Sequence, residues 1–236
     1  MTPSGTTLID EWRAALCGGR WFASLPEASQ GALLAAARER RLPAGATLFR
    51  RGDPGDGLFA VLDGGLRVGA VDPHGRELLL QVLGPPHWFG EITLFDGGPR
   101  THDVSARGDT RLLQVPLAAL QRLTADDPQW WLHLGRLLAE KSRALMLGLE
   151  QLAALPAPQR VATRLLALAE GHGMLAEGQA QRRLALNQEQ LGAMLALSRQ
   201  TVSEVLREFE SRGWLRRGYG QIELLDPDAL RALAGP

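Results

Sequence analysis

The sequence predicts an α+β protein: a short helical lead-in, an antiparallel β sandwich or barrel, one long helix and a terminal winged helix-turn-helix. Three observations carry this. Between residues 42 and 115, short apolar runs alternate with clusters of Gly, Pro and Asp. Between 127 and 154, a continuous helical pattern repeats large apolar residues every seven positions. Between 184 and 217, the stretch LALNQEQLGAMLALSRQTVSEVLREFESRGWLRR holds two short amphipathic helices separated by a turn.

Composition narrows the class. A chain of 236 residues suffices for two ordinary domains with their own cores. Its 45% hydrophobic and 22% charged residues are usual for a globular protein. No apolar run approaches the roughly 18 residues of a membrane span. The start, MTPSGTTLIDEW, lacks the basic end and apolar centre of a secretory signal. A single cysteine, Cys17, excludes an internal disulfide framework and a four-cysteine iron–sulfur cluster. Together these predict a cytoplasmic protein with no membrane partner. There is no Gly-x-Ser-x-Gly elbow, no phosphate-cradling loop ending in Lys-Ser/Thr and no His-Glu-x-x-His, so no enzyme is expected. The zero net charge disfavours indiscriminate nucleic-acid coating and leaves a sequence-specific reader open.

Residues 1–40 read as a mobile arm and short helices anchored by Trp12, Leu16, Trp21, Phe22 and Leu25. LLAAARERR reads as a helix with a basic end, where Arg38, Arg40 and Arg41 form a solvated terminus or a phosphate patch. The runs 47–49, 58–62, 66–70, 78–82 and 110–115 read as strands joined by turns, among them Asp72–Pro73–His74–Gly75. Gly55-Asp-Gly-Leu-Phe-Ala mimics a dinucleotide fingerprint but leads into a strand rather than a helix, so it is rejected. Asp53 and Asp56 lack the further acidic ligands of a calcium loop and read as turn residues.

On the long helix, Trp131, Leu138, Leu145 and Leu152 recur at sevens, with Leu134 and Leu149 between them. Such a seam predicts a two-stranded coiled coil between two copies of the chain, interrupted at Lys141 and Gly148. Pro156 and Pro158 end it and form a hinge. The chain thus divides into 1–127, 128–155 and 156–236. After a helix at 159–171 and a loop, Asn187 caps the first helix of the motif and Ser198 the second. Val202, Val205, Leu206 and Phe209 make one face of the second helix, leaving Arg199, Gln200, Ser203, Glu204 and Arg207 on others. That helix has the form to enter a major groove. Gly213 stops it, a hairpin turning at Gly218–Tyr219–Gly220 follows as the wing, and DPDALRALAGP closes as a short helix. From 181 to 217 seven Arg stand against four Glu and no Asp, a modest basic excess suited to phosphate contacts.

In this order the chain closely resembles the cyclic-AMP receptor protein/fumarate–nitrate regulator (CRP/FNR) superfamily of bacterial transcription regulators, over about residues 25–230. The most specific pieces are Leu42-Pro-Ala-Gly-Ala-Thr-Leu-Phe-Arg-Arg-Gly-Asp, the Phe89–Gly90–Glu91 box with Arg100–Thr101, and Leu197-Ser-Arg-Gln-Thr-Val-Ser. The resemblance implies a double-stranded β-helix (jelly-roll) cyclic-nucleotide-binding domain, a dimerisation helix and a winged helix-turn-helix. It implies a homodimer on palindromic double-stranded DNA, with RNA polymerase as a partner and no required cofactor.

By resemblance, Glu91 would accept the ribose 2′-hydroxyl and Gly90 would approach the ligand closely. Arg100 and Thr101 would bond the cyclic phosphate, for which a guanidinium fork is suited. Left to themselves, Glu91 and Arg100 could bridge each other in an empty roll. The segment from Glu91 to Arg100 is one residue shorter than in the cyclic-AMP receptor protein. His102 stands where a small residue is usual. Where that protein uses a Thr–Ser pair to hold the adenine, the register from Arg160 places Leu145 and Met146, and a three-residue shift would place Ser142 and Arg143. Cyclic AMP, another cyclic (di)nucleotide such as cyclic di-GMP, and a vacant roll with constitutive DNA binding all remain open. Haem would need axial ligands, and His74, His87, His102 and His133 show no supporting pattern. By the same resemblance the base-reading positions fall on Arg199, Gln200 and Glu204, with Ser198 and Thr201 nearer the backbone, and Ser203 is a further DNA-binding residue. Arg199 suits guanine, Gln200 adenine and Glu204 the cytosine amino group.

Overall fold

The computed structural model describes residues 7–71, 77–176 and 178–235. The turn at 72–75, with His74, and the first six residues of the arm lie outside these. Three helices open the described chain: α1 (Leu8–Leu16), α2 (Arg20–Ala23) and α3 (Glu27–Ala35). Thr7 caps α1 through a reciprocal box with Asp10. Eight strands follow: β1 (Arg38–Leu42), β2 (Thr47–Phe49), β3 (Gly57–Asp63), β4 (Leu66–Val71), β5 (Glu77–Leu83), β6 (Trp88–Phe89), β7 (Asp103–Ala106) and β8 (Thr110–Pro116). A short helix, α4 (Ile92–Asp96), interrupts them after β6.

The strands form two antiparallel four-stranded sheets, ordered β1-β8-β3-β6 and β2-β7-β4-β5. Phe59, Val61, Leu66, Phe89, Val104 and Leu112 fill the space between them. The outer face of the first sheet packs Leu58, Ala60, Leu62 and Leu113 against the opening helices, including Phe22 and Leu34. Strand β3 is therefore buried on both faces, which is why its sequence runs apolar without alternation.

One expectation fails here. LLAAARERR is not one helix: α3 ends at Ala35, and Arg38–Leu42 is an edge strand paired with β8 from Arg38↔Gln114 to Leu42↔Thr110. Cross-strand partners outweigh helix propensity. Glu39 accepts from Arg111 at 3.1 and 3.0 Å and from Arg41 at 2.9 Å, and these cations hold its carboxyl down at about 2. Arg38 donates to the Gln114 side chain, so Arg38 and Arg41 have partners within the chain and form no patch reserved for phosphate.

Helix α5 (Leu117–Asp126) leads into α6 (Gln129–Ala154), the long helix of the sequence reading. Its first half is anchored: Trp130, Leu134 and Leu137 are buried in the helix–sheet core, and the Trp21 indole donates to the His133 carbonyl at 2.7 Å. Leu134 therefore belongs to the core of the chain itself and not to the exposed seam expected from the seven-residue repeat. Trp131, Leu145, Leu149 and Leu152 are exposed, as are Met146 and Leu147. Leu155 is extended, and Pro156 caps α7 (Ala157–Ala169), with Pro158 in its first turn.

The last part comprises α7, β9 (Arg183–Leu184), α8 (Gln188–Leu195), α9 (Arg199–Ser211), β10 (Leu215–Gly218), β11 (Gln221–Leu224) and α10 (Pro227–Ala234). Strand β9, unread in the sequence, adds to the hairpin as a third strand. Their shared core also takes Leu79 from β5, which docks the roll's hairpin on α8. A second contact joins the link between α1 and α2 to the segment after α7: Arg20 N–H donates to the Met174 carbonyl and Ala176 N–H to the Gly18 carbonyl, both at 2.8 Å. Beside it, burial depresses His87 well below its ordinary pKa and His172 to about 4.

Candidate effector site and DNA-reading face

At one end of the roll, β6 runs into Gly90 and Glu91, and α4 begins. Gly90 has φ +97, and a Cβ there would lie 2.8 Å from Arg100 Nη1, so the absent side chain makes room for the guanidinium. Arg100 is 3% exposed. It donates to the Gly90 carbonyl at 3.2 Å, the Gly57 carbonyl at 3.0 Å and Asp56 Oδ1 at 2.6 Å. Its cation lies 4.3 Å from the centre of the Phe49 ring and 5.5 Å from that of Phe59. Its Nε is buried without a partner.

Glu91, 2% exposed, does not meet Arg100. Its carboxylate accepts from Lys141 Nζ of α6 at 2.7 Å. The mutual bridge expected for an empty roll is thus replaced by two separate pairs, Arg100–Asp56 and Glu91–Lys141. Each charge is satisfied by a residue from a different element, which burial demands. Asp56 also accepts from Gln114 Nε2 at 3.0 Å and lies 3.9 Å from Arg40.

The other expected site residues do not converge on this cluster. Thr101 is exposed, with its hydroxyl 2.9 Å from His102 Nδ1. Leu145 and Met146 are 64% and 68% exposed on α6 and bring no hydrogen-bonding group. Ser142, the alternative, donates to its own helix at Leu138. Asp56 and Lys141 were missed as site residues. The signal for Lys141 was present, because it is the polar residue that breaks the apolar register of α6. Asp56 stood inside a turn-rich run, where an acid has a simpler explanation.

The second site is built by the helix pair. Asn187 and Gln190 form a reciprocal cap at the start of α8. Ala196 turns the chain with φ +51, and a Cβ on Gly192 would lie 2.8 Å from the Leu197 carbonyl, so the two helices meet at a corner that needs glycine. Ser198 Oγ then accepts from Thr201 N–H at 3.0 Å and opens α9. Val202, Val205, Leu206 and Phe209 are buried, fixing the rotation of α9. Ser198, Arg199, Gln200 and Glu204 are left exposed, with Thr201 and Ser203 half-buried. Gln200 Nε2 donates to Glu204 Oε1 at 3.0 Å, one helical turn away. Among the described residues, Arg199 and Arg207 form no ion pair.

The wing is tied to α9. Arg217 donates from its backbone and its Nε to Glu210, at 2.8 and 2.7 Å. Those two bonds, the backbone one foremost, lower the Glu210 pKa.

A β-roll with buried charges at one end, joined by a long helix to a helix-turn-helix and wing, is the build of a DNA-binding transcription regulator. Comparison with known proteins agrees. Residues 39–127 match the family model described as a cyclic nucleotide-binding domain, and residues 159–233 that of a Crp-like helix-turn-helix domain. The chain is 35% identical over 188 residues to the CRP-like cAMP-activated global transcriptional regulator of Mycobacterium tuberculosis, covering 80% of this chain and 84% of that one. It is 31% identical over 201 residues to the transcriptional activator protein Anr of Pseudomonas aeruginosa, covering 84% and 81%. A solved CRP/FNR-family regulator from Thermus thermophilus superposes with a TM-score of 0.61 at 34% identity, covering 84% of this chain and 98% of that one. The chain belongs to the CRP/FNR superfamily of DNA-binding transcription regulators, which are not enzymes. Among the described residues no helix is long and apolar enough to cross a membrane.

Proposed function

We propose that the protein works in the cytoplasm as a homodimeric, sequence-specific regulator whose roll takes a nucleotide-like effector and whose paired winged helices read a palindromic operator, with RNA polymerase as the further partner. The division at 127/128 and 155/156 separates sensing, pairing and reading. The observation that carries this is the Glu91–Lys141 pair. It links the buried end of the roll to α6, the same helix that exposes Leu145, Leu149 and Leu152 in an unpartnered apolar stripe. An effector phosphate at Arg100 would replace Asp56, and a sugar hydroxyl at Glu91 would replace Lys141. Releasing Lys141 frees the helix on which two copies pair, so the ligand acts through its different affinity for two helix arrangements. Gly90 leaves the approach open, Thr101 is available to the phosphate, and Leu145 and Met146 would meet the base through apolar contact alone. At the other end, Arg199, Gln200 and Glu204 read bases while Ser198, Thr201 and Ser203 face the backbone.

A second reading, constitutive DNA binding with a vacant roll, is favoured by the same internal pairs, since Arg100 and Glu91 are already satisfied. One experiment separates the two: calorimetry and operator binding with cyclic AMP, cyclic GMP and cyclic di-GMP. Heat with one nucleotide and a matching change in DNA affinity supports control. No heat with any, alongside undiminished DNA binding, establishes the vacant roll. Sedimentation showing only monomer at micromolar concentration would remove the paired helix from either reading.

A further inference from the structure

Where the roll meets the winged-helix unit, the link between β5 and β6 and the turn after α7 enclose a cavity of about 40 Å³, with Pro86, His87, His172 and Met174 in its walls. The link between α1 and α2 braces both. Gly19 bridges Leu175 as an antiparallel pair, and a Cβ on Gly19 would lie 3.1 Å from Pro86 Cγ, so a glycine lets the three backbones meet. Each side of the cavity contributes one imidazole. His87 is fixed in the roll: its N–H donates to the Gly84 carbonyl and its carbonyl accepts from Val61 N–H, both at 3.0 Å. The residue is buried. His172 belongs to the winged-helix unit and takes φ +58, a left-handed backbone that a residue with a Cβ seldom adopts. Its Nε2 is buried without a partner.

The charged groups that face this pair are cations. Lys141 of α6 acts on His87, and Arg164 of α7 acts on His172. Among the described residues no carboxylate lines the cavity, and Glu170, beside Gly171, is taken up by Arg231. From the α1–α2 link, Cys17 is exposed and Arg20 faces Glu140 at 3.7 Å. Two imidazoles set among cations and away from acids are stable in this cavity only as neutral rings. We propose that the junction is a proton-operated latch: with both rings neutral it fastens the winged-helix unit to its own roll, and protonation of His87 and His172 parts the two sides. The proton goes to the parted form because water solvates the imidazolium there, whereas the closed cavity would hold it beside a second cation. His172 is held at about 4 in the closed junction and returns to near 6.5 in water, so at pH 5 that ring alone favours the parted form about thirtyfold. His87, lowered by burial, by Lys141 and by His172, adds to the effect. The other contact between the units, Leu79 against the winged-helix core, is apolar and takes up no proton. Acid therefore acts at the latch alone, and it does so whether or not the roll takes an effector.

Amide hydrogen exchange on the full chain tests this. The Arg20 and Ala176 amides cross the junction, and the amides that pair β3 with β8 serve as the reference. Between pH 7.5 and 5, after correction for intrinsic exchange, protection at the two junction amides is expected to fall thirtyfold or more while the reference holds. The ring signals of His87 and His172 should titrate over the same range. His172→Asn, which suits the positive φ, and His87→Gln should each show a smaller fall than the wild type. Junction amides as steady as the reference would overturn the latch, and so would rings that titrate while protection stays. Falls in both variants equal to that of the wild type would overturn it too. Should one variant be parted already at pH 7.5, the other carries the comparison, and the wild-type titration decides by itself.

Discussion

The end of the roll and the face of α9 hold the same kinds of side chain, an arginine beside a glutamate, in opposite conditions. Arg100 and Glu91 are almost wholly buried and each is paired with a residue of the chain itself. Arg199 and Glu204 are exposed, and among the described residues Glu204 has the neutral Gln200 as its side-chain partner. On the proposed function, a ligand entering the roll would exchange ionic partners, displacing Asp56 and Lys141, whereas DNA would meet groups that have water or a neutral side chain to give up.

The largest effects should come from breaking the buried side. Arg100→Ala removes the buried donor from two backbone carbonyls and the nearer of the two cations of half-exposed Asp56, so a loss of about 3 kcal/mol in urea unfolding is expected, together with loss of any nucleotide response. A variant of wild-type stability would mean that Arg100 is not the internal support described. Lys141→Met strands Glu91 in the interior and should cost about 3 kcal/mol. Adding Glu91→Gln should restore part of that, because the buried charge is then gone. Additive losses in that cycle would show the pair to be uncoupled.

On the exposed side the effects should be smaller and should appear in binding, not folding. Arg199→Ala is expected to cost roughly 1–3 kcal/mol at one base position and to relax selection there. Unfolding midpoints should stay at the wild-type value, and unchanged selection would remove Arg199 as a reader. At neutral pH no effect at all is expected from the last change, which concerns the junction between roll and α7 and shows only in acid. His172 titrates at about 4 when folded and near 6.5 when unfolded. The His172 contribution should therefore be flat above pH 6.5, lower stability as pH drops from there towards 4, and change no further below. Glu39, at about 2, loses its contribution only below its unfolded value of 4.5, outside most of that window. His172→Asn, which suits the positive φ of this position, should flatten the slope in melts between pH 4.5 and 6.5. An unchanged slope would assign it to His87 or elsewhere.

Much of the architecture was legible because it depends on local chemistry. The five strands with apolar runs, the helix from residue 129, the capped pair at Asn187 and Ser198 and the glycine-turned wing all express periodicity or capping. What escaped depends on distant partners. Arg38–Leu42 is helical by propensity and becomes a strand only because β8 offers Arg111 and Gln114 across from it. Strand β9 has two residues, too few for any period, and exists because β11 has an open edge. Leu134 fits a seven-residue seam but turns inward, since the first half of α6 lies on the roll. Gly90, Glu91 and Arg100 were readable from a motif. Asp56 and Lys141, 44 and 50 residues away from Arg100 and Glu91, needed the fold.

The placement of Lys141 halfway along α6 has a mechanical side. Thirteen residues separate it from Ala154, where the helix ends, a rod of about 20 Å at 1.5 Å per residue. Beyond that end stands only Leu155, extended, before Pro156 starts the next rigid rod. The ion pair of Lys141 with Glu91, 2.7 Å long, therefore ties the roll to this helix about 20 Å from the end that leads into α7.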